Sequence, residues 1–286
     1  MTHTSKEHRP RRPILRHRSD IRTLGLMLAL TAGFGSLLAG GPLLLSVPCV
    51  VLTLTACVAK HNHTHRPVFA RRWANRVLDL WLTLLTGAST TGIRMAHQAR
   101  HHGRNQSEAD FVRCSVVDGL PPGKALLLYV PAVVARVWRE GRGDLDGACR
   151  APLRKAVALE RWVLWLFIAA CATSAEASGM AAVAACWLSA QWFLIAINLP
   201  QHDGCDPRSR WRHSRNVTGR VANWLFLNNG YHTAHHEWPA CHWSELPALH
   251  ARHVAPHLSA CDDAPSLPAF WAGWWRLRSE SASPTQ

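Results

Sequence analysis

Two long stretches of this chain carry no lysine or arginine, from Thr23 to Ala59 and from Trp162 to Pro207. All 32 basic residues lie outside them, in 1–22, 60–161 and 208–286. The mean hydropathy of −0.06 would suit a soluble protein, but it averages over this segregation. Each stretch reads as a pair of apolar helices. The first pair is 24–39 and 43–59, broken by Gly40-Gly41-Pro42; the second is 162–177 and 180–199, broken around Ser178-Gly179. A helix that spans a bilayer needs about 20 residues, with a floor near 17. The four segments are short, and Glu176 lies near the end of the third, but two uncharged hairpins exceed what a soluble core requires. The expected fold is an all-α integral membrane protein with two transmembrane hairpins, hence four spans.

Charge also orients the hairpins. Their tips lack lysine and arginine, so they should face out, and the basic N-terminus, middle segment and C-terminus should share the cytoplasmic side. The leader HRPRRPILRHRSDIR precedes an apolar run, as in a signal peptide. That run continues into more apolar sequence without a small-x-small cleavage site. It reads as the first membrane helix behind a disordered basic leader, 1–22. The net charge of +14 invites a nucleic-acid reading. The excess is spread over every cytoplasmic part, however, and anionic lipid headgroups are the natural partner, so no nucleic acid is expected. The 14 tryptophans suit an interfacial belt. The nine cysteines form no CxxC pair and several sit in apolar runs, which marks them as reduced core residues rather than a thiolate metal site.

Between and after the hairpins, 77–85 and 125–134 are apolar but too short to span, as in interfacial or re-entrant helices. A polar loop is expected at 141–147, a turn-rich break at 203–208 and a helix near 221–226. Residues 265–278 suit a tryptophan-rich amphipathic helix on the membrane surface. The chain therefore divides into the leader, one membrane domain over 23–258, and a surface helix and tail over 259–286. Ala- and Arg-rich usage suggests a bacterial cytoplasmic membrane.

Nine histidines fall into four short clusters that flank these hairpins: His61 and His65; His97, His101 and His102; His202; and His232, His235 and His236. Neutral imidazole is the commonest protein metal ligand and suits iron, zinc or copper. Nine imidazoles exceed what one ion takes and can hold two. Residues four apart share a helix face, so His61 and His65 can reach one metal, and His97 and His101 repeat that spacing. His102 is rotated by about 100° from His101 and points toward a second ion. His232, His235 and His236 combine both helical spacings. Adjacent pairs occur twice, as two side-by-side metals would require. His63 falls on the opposite face of its helix. His3, His8, His17 and His213 read as solvated, and His242, His250, His253 and His257 as supporting or surface groups.

The order HxxxH, HxxxHH, HxxHH with apolar hairpins between resembles the membrane fatty acid desaturase and hydroxylase superfamily over about residues 24–258. The stretch NNGYHTAHHEWPACHWSELPALH (228–250) is similar to the third box of bacterial fatty acid desaturases, and HHGRNQSEAD (101–110) to their second. NLPQHD (198–203) occupies the place where related alkane hydroxylases carry an extra histidine ligand. The resemblance implies a cytoplasmic helical cap that holds a non-haem di-iron centre, two Fe ions on the nine histidines, with O2 as co-substrate and an apolar tunnel for the chain. Asn198, Asp203, Asn228 and Asn229 are candidates to orient the imidazoles, with Asp110 and Glu237 beside them. Asn216-Val217-Thr218 matches a glycosylation sequon that a cytoplasmic position makes irrelevant.

Unactivated C–H bonds resist acid–base chemistry, so a redox metal has to supply the oxidising power while the protein orients the chain. The leading expectation is an oxidoreductase, a fatty acid desaturase that introduces a carbon–carbon double bond. It would draw electrons from a separate donor such as a ferredoxin or cytochrome. Hydroxylation, or another oxidation of an aliphatic or terpenoid chain at the same site, is the alternative. A zinc-binding membrane metal transporter is more distant, since transport favours ionisable ligands inside the spans.

Overall fold

The computed structural model describes residues 13–140, 151–259 and 261–282. Four helices are long and apolar enough to cross a membrane, Asp20–Leu38, Leu43–His65, Ala151–Ser174 and Ala177–His202, which fits an integral membrane protein. The longer regular helices are α1 (Asp20–Leu38), α2 (Ser46–His65), α3 (Arg72–Thr86), α4 (Thr90–Ala96), α5 (Pro122–Glu140), α6 (Ala151–Ser174) and α7 (Ala177–Ala196). Shorter ones follow, α8 (Asn198–His202), α9 (Arg220–Leu225), α10 (His232–Glu237) and α11 (Leu246–Leu249), and then the 16-residue α12 (Leu267–Ala282). Among the described residues the one strand pair is a short parallel ladder, β1 (Asn216–Val217) on β2 (Asp263–Ala264).

The hairpin breaks behave as their residues require. Gly40 turns the chain with φ +83°. The two tips meet, with Glu176 N donating to Leu38 O at 3.1 Å. The opposite ends of α2 and α8 carry His61, His65 and His202. Helices in lipid associate through close packing and small residues rather than hydrophobic burial. Gly179 shows this: a Cβ there would stand 2.0 Å from Leu37 O, so α1 and α7 approach as only glycine permits. Met27, Leu30, Leu37, Ala56 and Val183 fill the resulting core. The second span ends at His65, where Arg66 turns extended ahead of Pro67.

Several boundaries differ from expectation. The third span starts at Ala151, well before 162, and ends at Ser174. Absence of charge marks the apolar layer, whereas the helix runs on through Arg154, Lys155, Glu160 and Arg161. Glu160 is buried, so this helix does carry an inward-facing ionisable group. Of the leader, 1–12 lie outside the described residues, but order begins well before residue 23. Arg16 N donates to Val68 O at 2.8 Å, Ala70 N to Ile14 O at 3.0 Å, and α1 begins at Asp20. The polar loop at 141–147 also lies outside the described residues.

The short apolar runs fall within α3 and α5. The 77–85 run is the inner face of α3, with Leu78, Leu82 and Leu85 buried against the core. The 125–134 run lies within α5, which continues past Pro131 to Glu140. On α12, Trp274 is buried rather than lying flat on a surface: its Nε1 donates to Asp203 Oδ2 at 2.7 Å, while Trp275 stays exposed. Among the described residues every cysteine is unbridged, and Cys49, Cys57, Cys114, Cys171 and Cys186 are buried.

Candidate metal centre

The nine clustered histidines converge from four segments into two adjoining groups. His61, His65, His97, His102 and His235 form one; His101, His202, His232 and His236 form the other. Within each, one ligand-capable nitrogen per residue lies within 4.8 Å of the rest. The closest approaches are His61 Nε2 to His97 Nε2 at 2.8 Å, His102 Nε2 to His235 Nε2 at 3.1 Å, and His232 Nε2 to His202 Nε2 at 2.9 Å. Two imidazole nitrogens at right angles on one ion, each about 2.1 Å from it, lie about 3.0 Å apart. The groups touch: the His102 and His236 rings stack with centroids 4.3 Å apart.

Local structure explains the sorting. His61 and His65 sit one turn apart on the last turns of α2. On α10, His232 and His236 are four apart and fall together, while His235 turns to the other group. Residues 97–102 depart from the α-helical reading, which pairs His97 with His101. They form a π turn, closed by Gly103 N donating to Gln98 O at 3.2 Å. An i→i+5 turn brings His97 and His102 to one side and sends His101 to the other group.

The protonation state suits metal binding. Burial, and after it the neighbouring imidazoles, lowers the pKa of His97, His102, His232, His235 and His236. Neutral imidazole is the form that binds metal. Buried nitrogens without a hydrogen-bond partner include His65 Nε2, His101 Nε2 and His236 Nε2. An unsatisfied buried polar atom costs about 1–3 kcal/mol. Three in one cluster fit residues arranged for an ion rather than for each other.

Three contacts fix which nitrogen faces inward. His101 Nδ1 donates to Asp110 Oδ2 at 3.0 Å, His202 Nδ1 to His213 O at 3.0 Å, and His61 Nδ1 to Asn62 Oδ1 at 3.2 Å. Each leaves Nε2 toward the cluster, the arrangement that orients metal-binding histidines. Asp110 is fully buried and also accepts from Gln106 N and Val112 N, both at 3.0 Å. The other candidates have different partners. Asn198 Nδ2 donates to Leu194 O, Asn228 Nδ2 donates to Trp243 O, and Asp203 accepts from Trp274 and Arg278. Asn229 Oδ1 is buried without a partner, and Glu237 binds Arg210.

Other residues acquire roles that spacing did not reveal. His63, on the far face of α2, meets Asp79 Oδ1 at 3.3 Å, and Arg94 meets the same oxygen at 2.9 Å, which ties α2, α3 and α4 together. Burial pushes the Asp79 carboxyl up, but the His63 bond and the arginines outweigh it and hold it below its ordinary value. His213, expected to be solvated, is buried beside His236. Asn216 of the sequon is buried, and its Oδ1 accepts from Thr233 N at 2.8 Å, which anchors α10. Glu160 caps α4, accepting from Ser89 Oγ at 2.6 Å, Thr91 N at 2.8 Å and Thr91 Oγ1 at 2.5 Å.

An apolar cavity lies beside α2 and α7. Leu54, Val58, Phe193, Ile197 and Phe226 line it, together with Gln201, next to His202, and Gly230, just before the third box. The family model described as Fatty acid desaturase matches residues 36–266. No curated protein matches the chain.

Proposed function

The chain belongs to the fatty acid desaturase family, and from that premise we propose that it desaturates an acyl chain with O2 at a di-iron centre held by the nine histidines. The observation that carries this reading is the convergence of nine imidazoles in two adjoining groups. Family membership makes the chain an oxidoreductase, and its four apolar helices place it with lipid.

On this reading His61, His65, His97, His102 and His235 hold one ion, and His101, His202, His232 and His236 the other. Bound iron supplies the O2-dependent oxidising power that C–H cleavage needs. The protein's part is placement. Asp110, Asn62 and the His213 carbonyl set the imidazole tautomers, and Glu160 and the π turn set the second box. The cavity between α2 and α7 takes the apolar chain, with Leu54, Phe193 and Phe226 excluding water along it. Gln201 and Asn229 are the polar groups at its wall. The balance is one alkane segment, O2, two electrons and two protons giving one alkene and two waters, the electrons coming from a separate donor protein. The active site faces the cytoplasm in this account, because the hairpin tips carry no lysine or arginine.

Expression in a host membrane, with lipid profiling against a His235→Ala control, tests the reading. New double bonds that vanish in the variant are expected. Hydroxylated products would move the assignment to the hydroxylase branch. Unchanged lipids with zinc at full occupancy would overturn redox chemistry in favour of metal transport.

A further inference from the structure

A second cavity is lined by Asp20, Thr23, Asn62, Arg66 and His242 together with apolar side chains such as Ala59, Leu227 and Leu246, and it reaches His235 of the first histidine group. Thr23 Oγ1 and Asn62 Nδ2 are buried there without a protein partner. A polar cavity with room for water satisfies such atoms with buried water. Asn62 links the cavity to the metal centre, since its Oδ1 accepts from His61 Nδ1 at 3.2 Å. On another side His242 Nε2 meets Asp20 Oδ1 at 3.2 Å. Ser244 N donates to His242 Nδ1 at 3.2 Å, which puts the imidazole proton on Nε2, facing the carboxylate. Trp243 Nε1 donates to the same Asp20 oxygen at 3.3 Å.

The path continues outward. The His17 ring stacks on His242 with centroids 3.7 Å apart, and its Nε2 lies 3.9 Å from Glu245 Oε1. The Glu245 side chain is 50% exposed. Cys241 Sγ donates to Glu245 Oε2 at 2.9 Å, and Arg66 and His63 face the cavity from α2 and its C-terminal end. Ionisable groups thus lie between solvent and a buried Asp–His pair, which borders a water-sized space beside His235. Asp20, His242, His17 and Glu245 belong to neither histidine group.

We propose that this cavity is a proton-delivery site, in which water held by Thr23, Asn62 and Asp20 passes protons from His17 and Glu245 to the histidine centre. The proposal rests on the O2-dependent reading above. There, two electrons from the donor protein and two protons from solvent join the two hydrogens removed from the chain, and O2 leaves as two waters. The two solvent protons need a polar route, and the substrate cavity is apolar.

Asp20→Asn keeps the shape but cannot exchange a proton, and His242→Gln does the same on the partner. Neither residue belongs to a histidine group. Iron content should stay at the wild-type level. Turnover should fall on the order of 10²-fold, the lower range for a lost acid–base group. The solvent deuterium isotope effect should rise, small weak acids such as formic acid should restore rate to Asp20→Asn, and Asp20→Glu should keep it. An experimental map that resolves water should show it between Thr23 Oγ1, Asn62 Nδ2 and Asp20. Wild-type turnover and isotope effect in Asp20→Asn, or a dry cavity, would overturn the relay and leave the oxidase reading standing. So would lost turnover with lost iron and no weak-acid rescue, which would mark a structural role. A wild-type chain that binds iron yet oxidises no chain would overturn both.

Discussion

Glu160 offers a direct way to ask whether the second histidine box is set from a distance. It is 2% exposed and caps α4, the helix that runs into the π turn bearing His97, His101 and His102. Ser89 completes the cap, donating to Glu160 while its own Oγ accepts from Gly92 N at 3.0 Å. Replacing Glu160 with Leu removes a charged acceptor from three donors. The two hydroxyls can rotate toward other acceptors, but Thr91 N–H cannot. Losing charge-assisted bonds of about 1.5–3 kcal/mol each, partly recovered by that rotation, gives an expected cost of about 3–5 kcal/mol. Gln keeps one acceptor and loses the charge, for about 1–2 kcal/mol. Denaturant unfolding in mixed micelles reads the stabilities, and iron per purified chain reads the box. Both losses should rank Leu above Gln above wild type. A Leu variant within about 1 kcal/mol of wild type with full metal content would refute the idea that α4 is positioned by this carboxylate.

Other predictions follow from the same contacts. Asp110→Asn should weaken iron binding about 10–100-fold, because the carboxylate that orients His101 becomes a poorer acceptor; a chelator competition titration measures it. Leu54→Trp should fill the apolar cavity and shift the product profile to shorter chains at unchanged iron content, as chromatography of the lipid products would show. Gly179→Ala should destabilise by about 1–3 kcal/mol or more, because its Cβ would stand 2.0 Å from Leu37 O and force α1 and α7 apart; unfolding in micelles reads it.

Much of the architecture was legible because long apolar spans and clustered histidines both write plainly in sequence. Missing lysine and arginine marked the apolar layer and hence the hairpins, and four-residue spacing marked His61 with His65. What stayed hidden depended on geometry that spacing does not carry. A π turn cannot be told from an α turn in HQARHH, so spacing pairs His97 with His101, whereas the structure groups His97 with His102. Helix ends that run on through charged residues, as in α6, leave no hydropathy signal. Asn198 and Asp203 lie next to ligand-bearing positions in sequence, but the helix turns their side chains toward other partners. The orienting groups arrive instead through loops, from Asp110 and the carbonyl of His213. His17 and His213 looked solvated because their neighbours in sequence are basic, although tertiary packing draws both inward.

The central claim is that two ions lie side by side, each held by one histidine group. Metal analysis of purified wild-type protein, His65→Ala and His236→Ala, after iron-replete expression, tests it most directly. The account predicts about two irons per wild-type chain, one for each group, and a loss of about one from each variant, with Mössbauer signals that differ according to which group was altered. A single ion in the wild type, zinc in place of iron, or identical residual signals in the two variants would contradict it.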